Sequence, residues 1–172
     1  MKHSCQSQKT VQGLSLEEKE NFMRRAVELS KWGMEHGFGG PFGAVIVKDG
    51  KIIGEGFNRV TSSKDPTAHA EIVAIRNASK NLRNFDLSGA TIFTSCEPCP
   101  MCLAAIYWAN IDEIYYANTK NDADSIGFRD DFIYDEFSKP IDKRNKKSHQ
   151  ILRSEALVVF QKWIEKTNKI KY

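Results

Sequence analysis

Thr91-Ile92-Phe93-Thr94-Ser95-Cys96-Glu97-Pro98-Cys99-Pro100-Met101-Cys102 is the stretch whose reading decides the fold. Its first half is β-branched and aromatic, as in a buried strand. Pro98 then opens a helix predicted to run through Trp108. Working outward, Ser15-Leu16-Glu17-Glu18 matches a capping box. Phe22, Ala26, Leu29 and Trp32 follow at helical spacing, and the glycines from Gly33 to Gly40 end that helix. Gly43 to Lys48 reads as a buried strand, Asp49-Gly50 as a hairpin turn, and Lys51 to Phe57 as the returning strand. A polar loop leads to a helix over Ala68 to Ser79. Downstream, Glu113 to Ala117 is a fourth strand, and Asp122 to Phe137 is acid-rich, with short helices and loops. Lys143 to Lys147 is a charged turn, Gln150 to Arg153 a fifth strand, and Glu155 to Lys166 a last helix. Strands alternating with helices after an opening hairpin imply an α/β domain: three layers, α/β/α, around a central five-stranded mixed sheet.

The chain has 172 residues, 41% hydrophobic and 27% charged, which is enough for one domain with a sizeable core. We expect a flexible tail over residues 1–13 and a single domain over 14–172. The net charge is only +3, with basic residues scattered among nearly as many acids. That balance disfavours a partner gripped through its phosphates. No stretch approaches the roughly 20 apolar residues that span a bilayer. Met1 to Gly13 lacks the apolar core of a signal peptide, so a cytoplasmic location is expected. Of the four cysteines, Cys5 carries no signal, whereas Cys96, Cys99 and Cys102 sit within seven residues. A cluster that tight points to metal rather than to a disulfide framework.

Cys99 and Cys102 are three apart and share a helix face. Near a helix N-terminus, free N–H groups and the positive dipole end favour thiolates. His69 and Glu71 lie about 200° apart around a helix and would not meet in its middle. In a first turn, both can lean over the end of the axis. Two helix N-termini facing each other across a zinc ion follow from this, with His69, Cys99 and Cys102 as ligands and water in the fourth position. Two thiolates weaken zinc as a Lewis acid, so its water needs a base, and Glu71 is placed to take the proton.

H-x-E together with P-C-x-x-C is the signature of zinc nucleobase deaminases. At these residues the chain resembles the cytidine deaminase superfamily, and within it the bacterial guanine deaminases. The resemblance rests on Gly39 to Gly50, on Asp65-Pro66-Thr67-Ala68-His69-Ala70-Glu71, and on Thr94 to Cys102. It extends through Ala105 to Ala109, Gly127 to Tyr134 and Tyr172. It implies zinc-dependent hydrolysis of guanine to xanthine and ammonia in purine catabolism. By position, Glu71 and Asp130 would move protons, and Asn58 would read the purine edge. Phe42, Ala70 and Trp108 would line the base pocket, and Tyr172 would close it. The family also implies a homodimer whose C-terminal segment crosses to the partner. Arg129 and Ala104 depart from the family pattern, which commonly has an acid and a glycine there; Asp131 is a rival to Asp130.

Other readings stand beside these. Phe42 and Trp108 suit a hydrophobic core, Asn58 suits a turn, and Asp130 suits a solvated acidic face. The zinc motifs are shared with tRNA adenosine-to-inosine deaminases, and Gly54 to Arg59 suits that family too. Cytosine and cytokinin-like purines are weaker substrate options. From another class comes a non-catalytic structural zinc module, with Cys96 as a fourth ligand. In the catalytic reading, Cys96 is a small buried side chain or a neighbour of the site.

Overall fold

The computed structural model describes residues 13–171. The tail with Cys5 and the final Tyr172 lie outside the described residues. The chain divides into two units, Met1–Asp130 and Asp131–Tyr172.

In the first unit, α1 (Leu16–Glu35) opens on the expected capping box. Ser15 accepts from the Glu18 N–H, and the Glu18 carboxylate accepts from the Ser15 N–H. The hairpin β1 (Gly43–Lys48) and β2 (Lys51–Phe57) follows, then a one-turn helix α2 (Val60–Ser63) in what reads from sequence as plain loop. Next come α3 (Ala70–Leu82), β3 (Ala90–Cys96), α4 (Pro100–Trp108), β4 (Glu113–Asn118) and α5 (Lys120–Ser125). The sheet order is β2-β1-β3-β4. β1 is antiparallel to both neighbours, and β3 and β4 are parallel, joined by α4 as a βαβ crossover.

Alternation along β1 builds the three layers. Val45 and Val47 face α1, packing with Ala26, Leu29 and Phe93. Ala44 and Ile46 face the other way, onto Ala70, Ala74 and Ala78 of α3 and Ile106 of α4. Both faces of β1 and β3 are therefore dry, and both strands read as continuous apolar runs.

The expected α/β/α mixed sheet is present with four strands, not five. Residues 150–152 form no strand. Leu152 has φ +52°, a left-handed conformation that ends an extended run and sits as the N-cap of the last helix. The second unit holds α6 (Asp131–Ser138), a 3₁₀ turn at Ile141–Lys143 and α7 (Arg153–Glu165).

Two helices start later than the sequence suggests. α3 begins at Ala70 rather than Ala68, and α4 at Pro100 rather than Pro98. Pro100 keeps the residue before it out of the helical region, so Cys99 is extended, at φ −64° and ψ 166°. Asp65 forms a turn, accepting from the Thr67 N–H at 2.8 Å and the Thr67 hydroxyl at 2.7 Å. The chain reaches His69 from that turn, also extended.

α3 lies directly on β2. A Cβ on Gly56 would stand 2.2 Å from the Ala70 carbonyl oxygen and 2.6 Å from the Ala74 nitrogen, backbone atoms that cannot swing aside. Gly56→Ala should therefore cost about 2–3 kcal/mol in a urea titration. A loss below about 0.5 kcal/mol would show that α3 is not seated on the strand in this way.

Candidate active site

The starts of α3 and α4 lie at one end of the sheet. The same end holds the close of β2 and β3 and the start of β1. Gly43 marks it, donating its N–H to Ser95 Oγ at 2.9 Å and pairing with Phe57. Ends of strands in α/β sheets, with helix N-termini beside them, are where ligands bind.

His69 is the N-cap of α3, and Cys99 is the N-cap of α4. Neither side chain caps its own helix, so both project between the two ends. His69 Nδ1 stands 3.6 Å from Cys99 Sγ. Cys102, one turn into α4, is fully buried. The ligand atoms of His69, Cys99 and Cys102 all lie within 4.8 Å of one another. Among the described residues this is the one such group, and Cys96 is not in it. The Cys96 thiol donates to the Thr119 carbonyl at 3.5 Å instead. Burial, with Glu71 nearby, pushes that thiol up to about 11, so it is a neutral neighbour.

Charge in the cluster suits a bound cation. The Cys99 thiol is brought down to about 4 by a hydrogen bond from Cys102 and by His69. Cys102 is driven strongly upward, because its proton is shared with Cys99 and it is buried. His69 is raised by its hydrogen bond with Cys99, and also by Glu71 and Asp130. Glu71, the second residue of α3 and buried, is raised chiefly by desolvation. Two thiolates and a neutral imidazole fit zinc in chemistry and spacing.

Around this core, Ala70 is buried as the first residue of α3. Asn58 is buried just past β2. Its Oδ1 accepts from the N–H groups of Gly40 at 3.3 Å and Val60 at 3.2 Å, and its backbone N–H donates to the Phe42 carbonyl. The turn reading of Asn58 is therefore correct for its oxygen. Phe42 is half-buried and packs on the core, with its ring edge-on to Phe128 at 4.9 Å. Sequence reasoning passes over Phe128 as an individual residue; its signal is the Gly127-Phe128 turn, with Gly127 at φ +92°. Asp130 is close enough to His69 and Cys96 to favour their protonated forms. Arg129 reaches Asp124 at 4.0 Å with its side chain largely in solvent. Trp108 is 70% exposed at the end of α4, next to Tyr107 at 75%, which removes the core reading of Trp108 within this chain.

Residues 16–118 match the cytidine and deoxycytidylate deaminase zinc-binding region. The chain belongs to this deaminase family. Guanine deaminase of Bacillus subtilis is 52% identical over 153 residues, spanning 89% of this chain and 98% of that protein. An X-ray structure of that guanine deaminase matches with a TM-score of 0.86. A guanine deaminase structure from Nitrosomonas europaea matches at 32% identity and TM-score 0.63, over 69% of this chain and 67% of that one. The tRNA-specific adenosine deaminase of Haemophilus influenzae is 41% identical over 117 residues, 67% of each chain.

The deaminase's proton-holding pocket gives a direct test of the metal. Zinc uptake must displace the proton that Cys102 keeps and any on His69, so binding releases protons and weakens as pH falls. Calorimetry of the zinc-stripped protein in buffers of different ionisation heat should report at least about one proton released per ion near neutral pH. Binding without proton release would contradict the assignment.

Proposed function

We propose that this chain catalyses the hydrolytic deamination of guanine to xanthine and ammonia. The observation that carries the reading is the convergence of His69, Cys99 and Cys102 beside the buried carboxyl of Glu71. Similarity favours the free base over tRNA adenosine. The Bacillus subtilis guanine deaminase match takes in 98% of that protein, whereas the Haemophilus influenzae adenosine deaminase match stops at 67% of either chain. The low net charge points the same way. No helix among the described residues is long and apolar enough to cross a membrane, which suits a cytoplasmic catabolic enzyme.

His69, Cys99 and Cys102 would hold zinc, which supplies Lewis acidity to make water nucleophilic near neutral pH. Glu71 takes a proton from the attacking water and delivers it to N3 of the purine as the oxygen adds to C2. C2 becomes tetrahedral. Glu71 then takes the proton of the new C2 hydroxyl and, assisted by Asp130, passes it to the amine; the C2 carbonyl forms as the C2–N bond breaks, and ammonia leaves with xanthine. The raised affinity of Glu71 for protons suits a group that must both take and give one. Asn58, with its oxygen held by Gly40 and Val60, presents amide hydrogens to an acceptor on the purine edge. Phe42 and Ala70 face the base from the sides of this pocket. Closure by Tyr172 and Trp108 belongs to an assembled homodimer with an exchanged C-terminal segment. The support is that α7 buries none of its residues and leaves Phe160 and Ile164 exposed, as α4 leaves Trp108.

Ammonia release from free purines, cytosine and tRNA should be fastest with guanine. Glu71→Gln should keep zinc and lose about 10³-fold or more in kcat. Faster turnover of a tRNA adenosine, or an active Glu71→Gln protein, would overturn this reading. Light scattering should give twice the chain mass of 19.5 kDa, and deleting residues after 152 should yield monomers; a monomeric full chain would remove the exchange.

A further inference from the structure

We propose that Glu97 is a positioning residue, tying the turn that carries Cys99 to the segment that carries Phe128 and Asp130. Cys96 and Glu97 meet residues 118–120 at three successive points. The Glu97 N–H donates to the Asn118 carbonyl at 2.8 Å, extending the parallel β3–β4 pairing one step past the strand. The Cys96 thiol donates to the Thr119 carbonyl. The Glu97 carboxylate accepts from the Lys120 N–H at 3.1 Å.

Lys120 is the first residue of α5, where a backbone N–H has no acceptor inside the helix. A carboxylate there satisfies that donor and suits the positive end of the helix. Thr119 and Asp122 close a capping box on the same turn: the Asp122 N–H donates to Thr119 Oγ1 at 3.3 Å, and the Thr119 N–H to Asp122 Oδ2 at 2.8 Å. The start of α5 is thus held from within by its own box and from outside by Glu97.

The far end of α5 delivers two side chains. The Phe128 N–H returns to the Ala123 carbonyl at 2.9 Å, and Gly127 turns the chain. The Phe128 ring then stands edge-on to Phe42, where a Cβ on Gly40 would meet it at 2.8 Å. Two residues later comes Asp130. α5 makes no strand pairing of its own, so where Phe128 and Asp130 fall relative to His69 and Cys99 depends on the anchor at its start. Glu97, two residues from Cys99, joins that anchor to the α4 turn.

The kinetic part of the test rests on the guanine reading above; the rest does not. Zinc-loaded wild type, Glu97→Ala and Glu97→Gln are compared by zinc content, amide hydrogen exchange over residues 118–128, and kcat and KM for guanine. Glu97→Ala should keep its zinc, exchange that segment about tenfold faster, and lose about tenfold in kcat with KM changed less than about threefold. Glu97→Gln retains an acceptor for Lys120 and should recover to within about threefold of wild type on both counts. Unchanged exchange in Glu97→Ala, or Glu97→Gln as impaired as Glu97→Ala, would overturn the proposal, as would loss of zinc in step with kcat. Should Glu97→Ala fail to fold, Glu97→Gln decides by the same exchange and kinetic limits. A wild-type protein inactive on guanine would remove the functional reading, while exchange and zinc content would still settle the tie.

Discussion

Two helix N-termini are made to face each other, and each offers its cap residue to the same point. This constraint organises the rest of the structure. An N-cap residue is extended, and its side chain stands at the mouth of its helix rather than along its flank. His69 and Cys99 both occupy that position, and Cys102 lies one turn behind Cys99. Pro100 enforces the geometry at one mouth and the Asp65 turn leads into it at the other. The helix ends supply N–H groups and positive dipole, which favour thiolate there before any metal arrives.

The scaffold exists to keep these two mouths in register. α3 rides on the bare backbone of Gly54 and Gly56, so its axis is fixed by close approach rather than by interleaved side chains. α4 is the crossover between parallel β3 and β4, which fixes the second axis to the same sheet. β1 and β3, dry on both faces, are the rigid element between. Rigid support matters because, in the proposed mechanism, a misplacement of about 1 Å at Glu71 would cost about 100-fold in rate.

Much of this was legible in the sequence, for reasons that can be named. Capping residues, Asp49-Gly50 and the apolar runs of β1 and β3 are local signals, and local signals located α1, the hairpin and the strands. The C-x-x-C spacing and H-x-E pair are short-range as well, and they located the metal group and Glu71. The fifth strand was misread because Gln150-Ile151-Leu152 is too short for periodicity to speak, and the left-handed Leu152 cannot be seen in composition. The helix starts were misplaced by two residues because Pro98 looked like a first-turn proline, whereas Pro100 is the one that sets the boundary. Phe128 and Glu97 were passed over because their partners, Phe42 and Lys120, are far away in sequence and only the sheet brings them together. The oxygen of Asn58 is given to the turn, as its residue type suggests.

The distinction between a catalytic and a closed metal site rests on what Cys96 does. Its thiol is kept neutral by burial and is given to the Thr119 carbonyl, so in the proposed reading three protein side chains would hold the ion and a fourth position would be open to water. X-ray absorption at the zinc edge of the loaded protein measures this directly. The account predicts two sulfur neighbours at about 2.3 Å and two nitrogen or oxygen neighbours at about 2.0–2.1 Å. Three sulfurs around the ion would place Cys96 on the metal, close the fourth position and contradict it.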